Sequence, residues 1–99
     1  MEAEKKETPQ GQREIRIGAM MIQMVDLGTD SRDLMITIMN NGPANQIEYY
    51  ITDQQSRPDR TQRLYNGDEV TIRLGDYGKG KFLALNNSDH QNANVSVKW

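Results

Sequence analysis

The stretch that decides the fold is DLMITIMNNGPANQIEYYIT, residues 33–52. Both of its halves place large apolar side chains at every second position, namely Leu34, Ile36 and Ile38, then Ile47, Tyr49 and Ile51. A repeat of two is typical of a β-strand with one buried face. Asn40-Asn41-Gly42-Pro43 lies between the halves, and these residue types favour a turn. The stretch therefore predicts two strands, over 33–40 and 46–52, that end and begin around this turn.

Shorter patterns of the same kind extend from this stretch in both directions. They cover 14–17, 19–27, 62–65, 69–74, 81–85 and 94–99. Asn66-Gly67 is a strong hairpin signal, which predicts that 62–65 and 69–74 pair directly and that both turn residues have positive φ. About seven or eight short strands at this spacing predict an all-β fold, a small single-domain β-sandwich of either Ig-like or jelly-roll type. The predicted core positions are Ile36, Ile38, Ile47, Ile51, Val70, Ile72, Leu74, Val95 and Val97.

The first residues of the chain have a different character. Residues 1–12 are rich in Glu, Lys, Gln, Thr and Pro and show no apolar repeat. Such a composition does not offset the entropy lost on ordering. We interpret 1–12 as a flexible polar N-terminal arm and 13–99 as the sandwich domain. The arm is either a leader without a function or a segment that becomes ordered on a neighbouring subunit.

Composition limits the classes of function. A formal net charge of −2 provides no concentrated positive field for nucleic acid. The chain has no cysteine, which excludes disulfides and thiolate sites. No apolar run reaches the length of a membrane span, and residues 1–7 do not resemble a signal peptide. We therefore expect neither a nucleic-acid nor a membrane partner, and a location in the virion if the protein is viral or in the cytoplasm otherwise.

Methionine is concentrated in one part of the chain. Five of the six methionines lie between Met20 and Met39. Residues 20–27 are apolar on both faces of the expected strand, and the strand over 33–40 carries Met35 and Met39 opposite its core face. Methionine is flexible and polarisable, so it suits adaptable interfaces.

A second apolar face needs a second cover, because an exposed patch of this kind is a liability for a monomer. We predict that Met21, Val25, Met35 and Met39 form an interface with another protein subunit, as in a homo-oligomer or a larger assembly. The alternative is that the 53–61 loop or the N-terminal arm covers them within the same chain.

Catalytic and metal-binding patterns are weak in this sequence. Ser88, Asp89 and His90 contain the residue types of a catalytic triad, but adjacent residues seldom converge in the required geometry. Asp26, Asp30 and Asp33 bracket a turn that could supply oxygen ligands to calcium, although their spacing is not that of an EF-hand. We therefore expect no enzymatic activity, no metal site and no cofactor.

Sugar binding is the alternative function. Sugar rings stack on exposed aromatic rings, and Tyr50, Tyr65 and Tyr77 are the candidates for such a strip. The amide side chains of 86–94 could bond to sugar hydroxyls, but Asn is also the usual residue of turns. A carbohydrate- or ligand-binding β-sandwich module is therefore kept as the second hypothesis.

Residues 34–99 resemble the small β-sandwich accessory domains found on viral and phage particles and in some surface-binding modules. The resemblance lies in the order of three features: a strand ending in Asn40-Asn41-Gly42-Pro43, the 64–70 segment around Asn66-Gly67, and the segment 82–87. The chain is also similar to phage decoration (cement) proteins in its short length, its polar arm and its lack of cysteine. This resemblance implies a structural virion protein that joins or stabilises neighbouring capsid subunits by passive binding.

Overall fold

The computed structural model describes residues 11–29, 31–53, 61–77 and 80–99. Eight β-strands make up most of this part of the chain. They are β1 (Gln12–Ile17), β2 (Met21–Asp26), β3 (Met35–Pro43), β4 (Gln46–Thr52), β5 (Gln62–Tyr65), β6 (Glu69–Arg73), β7 (Phe82–Asn87) and β8 (Ala93–Lys98). A 3-10 helix, Leu74–Asp76, follows β6. No helix among the described residues has the length and hydrophobicity needed to cross a bilayer.

The strands form two antiparallel sheets that pack face to face. Sheet A has the order β1-β8-β3-β6, and sheet B has the order β2-β7-β4-β5. The pairs β1–β8, β2–β7, β3–β6 and β4–β5 are those of one long hairpin that has been rolled up. This arrangement is the jelly roll. The prediction of an all-β sandwich is confirmed, and the strand order selects the jelly-roll type over the Ig-like type.

The core lies between the sheets and contains the alternating residues that the sequence predicts, together with others outside that set, such as Ile15, Leu83 and Leu85. Ile36, Ile38, Ile47 and Leu74 are fully buried, as are Val95 and Val97 on the central strand β8. Val70 is the one predicted core residue that is half-buried, and it packs against the same cluster.

The connections fall into two groups, one at each end of the sandwich. Short turns at 18–20, 44–45, 66–68 and 88–92 form one end, which we call the short-turn end. The strand ends that flank the longer connections 27–34, 53–61 and 74–81 lie at the other end, together with the first residues of β1 and the last of β8.

The predicted hairpin between 62–65 and 69–74 is wrong. β5 pairs with β4 in sheet B, whereas β6 pairs with β3 in sheet A, so Asn66-Gly67 turns the chain from one sheet to the other. Gly67 has φ +90°, and Asp68 N–H donates to Tyr65 O at 2.9 Å. Asn66 does not have positive φ. A positive φ at the third position alone is typical of a type II turn, not of the type I′ turn that joins paired strands.

The strand predicted over 33–40 extends further than expected. β3 continues through Asn41, Gly42 and Pro43, with a shift of register relative to β8 between Asn40 and Pro43. The Gly42–Pro43 peptide bond is cis, and Gly42 has φ +78°. These residues therefore form an irregularity at the end of a strand and not a turn that stops it.

The structure places Gly11 and Gln12, two residues of the predicted arm, in the sandwich. Gly11 exchanges backbone hydrogen bonds with Trp99, at 2.6 and 2.9 Å, and β1 begins at Gln12. The rest of the predicted arm, residues 1–10, lies outside the described residues, as does most of the 53–61 loop.

Candidate protein-binding surface

The four residues predicted to form the interface do not share one face. Met35 and Met39 lie on β3 in sheet A, whereas Met21 and Val25 lie on β2 in sheet B. Val25 is 0 % exposed and belongs to the core, so its side chain does not reach the surface. The prediction that Met21 and Val25 lie near Met35 and Met39 on one face is wrong, because the consecutive strands β2 and β3 belong to different sheets.

The outer face of sheet A is mostly polar. Met35 is 51 % exposed and lies opposite Arg73 on β6, and Met39 is half-buried between Ser96 and Glu69. The two methionines are separated by Thr37, whose hydroxyl bonds to that of Thr71 at 2.9 Å. A depression of about 120 Å³ around Met39 is lined by Gln12, Glu14, Thr37, Glu69, Ser96 and Lys98. The methionines therefore stand as separate apolar positions among polar neighbours.

The continuous apolar surface lies on the outer face of sheet B. The registers of β2 with β7 and of β4 with β7 place Met24, Ala84 and Tyr50 side by side in one row. Ala84 points away from the core cluster and is still 0 % exposed.

Neighbouring rows extend this surface. Ile22 lies on one side of Met24 along β2, and Phe82 lies on the other side of Ala84 along β7. Phe82, Met24 and Tyr50 are each half-buried. We call the five residues Ile22, Met24, Tyr50, Phe82 and Ala84 the sheet B patch.

An apolar corner adjoins the patch at the start of β2. Met20, Met21 and Ile22 are consecutive and are 64 %, 59 % and 55 % exposed. Met20 occupies the turn from β1 with φ 62°, a left-handed conformation that is uncommon for a residue other than glycine. The corner thus combines exposed apolar area with a strained backbone position.

The sequence already contained the signal for this surface. Val25 and Leu27 are core residues, so the alternate positions Met20, Ile22 and Met24 must face outwards. Residues 20–27 are apolar on both faces of the strand, but the prediction placed Val25 on the outer face, whereas its side chain lies in the core. Ala84, Tyr50 and Phe82 could not be joined to this face without the strand order.

The three candidate tyrosines do not form a strip. Tyr50 belongs to the sheet B patch, and Tyr65 is 49 % exposed beside Gln46 on the same outer face. Tyr77 instead packs on Tyr49, with ring centroids 6.3 Å apart, at the border of the core. Burial, and then the proximity of Tyr77, raises the pKa of Tyr49.

Ser88, Asp89 and His90 line an open polar depression of about 320 Å³ together with Asn45 and Gln46. Asp89 Oδ2 accepts a hydrogen bond from Asn45 N–H at 2.8 Å, and Asp89 Oδ1 accepts one from Gln91 N–H at 3.2 Å. The hydrogen bond from Asn45 N–H is the main cause of the lowered pKa of Asp89. The backbone N–H groups of Gln91 and His90 lower this pKa further. The carboxylate therefore ties two turns together and does not orient His90 as a catalytic base.

Two of the three aspartates considered as calcium ligands, Asp26 and Asp33, make other contacts. Asp26 Oδ1 accepts a hydrogen bond from Gly28 N–H at 2.9 Å, and Asp33 Oδ1 lies 3.8 Å from Arg73. Asp30 is outside the described residues. Within the described parts of the chain, no three acidic, histidine or cysteine side chains are grouped so that they could hold a metal ion.

Two buried asparagines that sequence reasoning read as turn residues organise the short-turn end. Asn87 Nδ2 lies 3.2, 3.1 and 2.8 Å from the carbonyl oxygens of Ile17, Gly18 and Gln91, and Asn87 Oδ1 accepts Asp89 N–H.

Asn40 connects the turns at 44–45 and 66–68 in the same way. Asn40 Nδ2 donates to Leu64 O at 3.1 Å and lies 3.4 Å from Ala44 O, and Asn40 Oδ1 accepts Gly42 N–H at 2.9 Å. Asn40 and Asn87 are both 0 % exposed. Their amides are therefore occupied inside the protein and do not face a ligand.

No protein-family model matches the chain, and the search of curated proteins found no match.

Proposed function

We propose that the chain is a non-enzymatic assembly module, namely a virion decoration or stabilising protein that binds neighbouring protein subunits through the sheet B patch. The observation that carries this proposal is the row Met24–Ala84–Tyr50 on the outer face of sheet B. Apolar patches on the surface of soluble domains often mark sites of protein interaction.

The composition of the patch fits protein binding. Met24 supplies an adaptable thioether, and the two rings of Tyr50 and Phe82 supply large contact area. Ala84 lies between Met24 and Tyr50 and is fully buried. Arg63 and Glu48, 3.9 Å apart, lie beyond the patch in the row of Ile22, so the apolar surface has a charged rim. An apolar centre with a polar rim is the usual anatomy of an interface.

The fold agrees with this proposal without deciding it. The jelly roll occurs both in viral capsid domains and in lectins. The architecture alone therefore does not distinguish an assembly protein from a sugar-binding module. The side chains favour assembly. Tyr77 is packed against Tyr49, and the amide of Asn86 donates to Glu48 Oε1 at 3.1 Å, which removes these groups from the predicted sugar site. The predicted contact by the N-terminal arm remains part of the proposal.

The test is co-sedimentation with the large assemblies of the source organism. We expect the wild-type chain to sediment with particles in a density gradient, and the Tyr50→Lys variant to stay at the top, because a charge in the patch loses its solvation on binding. Thr71→Lys is the matched control, since Thr71 is exposed on the outer face of sheet A. A wild-type chain that never sediments with a larger assembly contradicts the proposal.

A further inference from the structure

We propose that two copies of the chain associate by antiparallel pairing of their β2 strands, which joins their two B sheets into one continuous sheet. This inference deepens the proposed function, on which it rests for its biological role. It begins with the four edge strands, which are β1 and β6 in sheet A and β2 and β5 in sheet B. Each edge presents backbone donors and acceptors that another strand can pair with.

Charge distinguishes β2 from the other three edges. β1 carries Arg13, Glu14 and Arg16, β6 carries Glu69 and Arg73, and the four-residue β5 carries Arg63. Charged side chains and short length are the usual protection of an edge against pairing. β2 has six residues, MIQMVD, and its one charge is Asp26 at the very end.

The backbone of β2 shows which groups face away from β7. Leu27 N–H donates to Lys81 O at 3.1 Å, and Leu27 lies opposite Lys81 in the register of β2 with β7. Hydrogen-bonded and non-hydrogen-bonded pairs alternate along antiparallel strands. Gln23 and Val25 therefore direct their N–H and C=O towards β7, and Ile22 and Met24 direct theirs outwards. Gln23 Nε2 donates to Met24 O at 3.2 Å, which agrees with an outward-facing carbonyl.

A second copy is the occupant that fits this edge. When a two-fold axis passes between the two Gln23 residues, Ile22 of each copy lies opposite Met24 of the other. Met21 then lies opposite Val25 of the other copy on the inner row. The two Asp26 residues lie at opposite ends of the paired segment, so no like charges face each other. A register centred on Met24 would instead place Ile22 opposite Asp26.

This pairing also accounts for the exposed corner. It covers the backbone of β2 and the side chains of Met21 and Ile22, which are more than half exposed in the single chain. Because the axis is perpendicular to the sheet, both sheet B patches lie on the same side of the dimer. Two patches on one side give a bivalent surface for the larger partner, and bivalence strengthens binding without new contacts.

The register can be tested by disulfide cross-linking, because the wild-type chain has no cysteine. Residues opposite each other in a non-hydrogen-bonded pair have Cα atoms about 4.5 Å apart, within the range of about 4.4–6.8 Å that a disulfide spans. We expect Gln23→Cys to form a disulfide-linked dimer under mild oxidation faster than Met24→Cys or the control Thr71→Cys. Faster cross-linking of Met24→Cys would overturn this register.

Sedimentation velocity over a wide range of concentrations tests the association itself. We expect a monomer–dimer equilibrium for the wild type and for Thr71→Lys, and a monomer for the double variant Ile22→Lys, Met24→Lys, whose lysines lie opposite each other. A wild type that is monomeric at every concentration overturns the inference. Tyr50→Lys separates it from the proposed function, because this variant keeps β2 intact and should dimerise without binding particles.

Discussion

At the residue scale, the fold depends on a few polar side chains that are buried among apolar ones. Asn40 and Asn87 each hold two turns of the short-turn end, and no described side-chain polar atom that is buried lacks a hydrogen-bond partner. Buried amides are stabilising when satisfied and costly when a partner is removed. The short-turn end is therefore fixed by two side chains as well as by its backbone.

Replacement of Asn87 tests this role. Asn87→Ala leaves the carbonyls of Ile17, Gly18 and Gln91 without the amide, and should lower the free energy of unfolding by about 3 kcal/mol. The measurement is urea unfolding followed by circular dichroism. Asn86→Ala is the matched control, because Asn86 makes one partly buried bond to Glu48 and should cost about 1 kcal/mol or less. Equal losses in the two variants would contradict the assigned role.

The sequence could not reveal these two residues. Asn40 is followed by Asn41, and Asn87 is preceded by Asn86, and all four have the residue type expected of turns. Which amide is buried depends on strands that are distant in the chain, since Asn87 reaches the carbonyl of Ile17, 70 residues away. The alternation of polar and apolar residues therefore predicts apolar core residues, but it does not predict which polar side chains are buried.

At the element scale, the sequence predicts where the strands lie but not which strands pair. The alternation in 46–52 predicts β4 with its bounds, because one face of that strand is buried. Asn66-Gly67 predicts a turn for an equally local reason, which is that Gly tolerates positive φ. A turn does not decide whether its flanking strands pair with each other. Here β5 pairs with β4, and β6 pairs with β3.

The turn at Gly67 gives a test at this scale. Gly67 has φ +90°, and a Cβ atom there would meet nothing within 4 Å, so strain of the backbone is the sole penalty of a side chain. Gly67→Val should lower the free energy of unfolding by about 1–3 kcal/mol. Gly67→Asn should cost less, because Asn tolerates left-handed backbone better than a β-branched residue. If both variants unfold at the same denaturant concentration, strain at Gly67 does not limit stability.

At the scale of the whole molecule, the rolled topology explains why the candidate surface was assigned to the wrong sheet. Consecutive strands β1, β2, β3 and β4 alternate between sheets A and B, so residues close in sequence such as Met24 and Met35 lie on opposite outer faces. The sheet B patch joins β2, β4 and β7, which are separated by most of the chain. Periodicity identifies which residues of a strand face outwards, but the neighbours of that face depend on pairings at long range.

The same topology predicts the order of folding. The strand pairs are nested: β4–β5 closes the shortest loop, β3–β6 and β2–β7 close longer ones, and β1–β8 joins the two ends of the chain. Loop closure costs more entropy as the loop lengthens, and pairing of distant strands slows folding. We therefore expect β4–β5 to be formed in the transition state and β1–β8 to form after it.

Two conservative core variants measure this order. Ile47 on β4 and Ile15 on β1 are both buried, and Ile→Val should cost each about 0.5–1.5 kcal/mol. We expect Ile47→Val to slow refolding and Ile15→Val chiefly to speed unfolding, because a contact slows folding only if the transition state already contains it. Stopped-flow refolding and unfolding over a range of urea concentrations give both rates. If Ile15→Val slows refolding more than Ile47→Val does, the ends of the chain meet before the central hairpin, and the roll closes from the outside inwards.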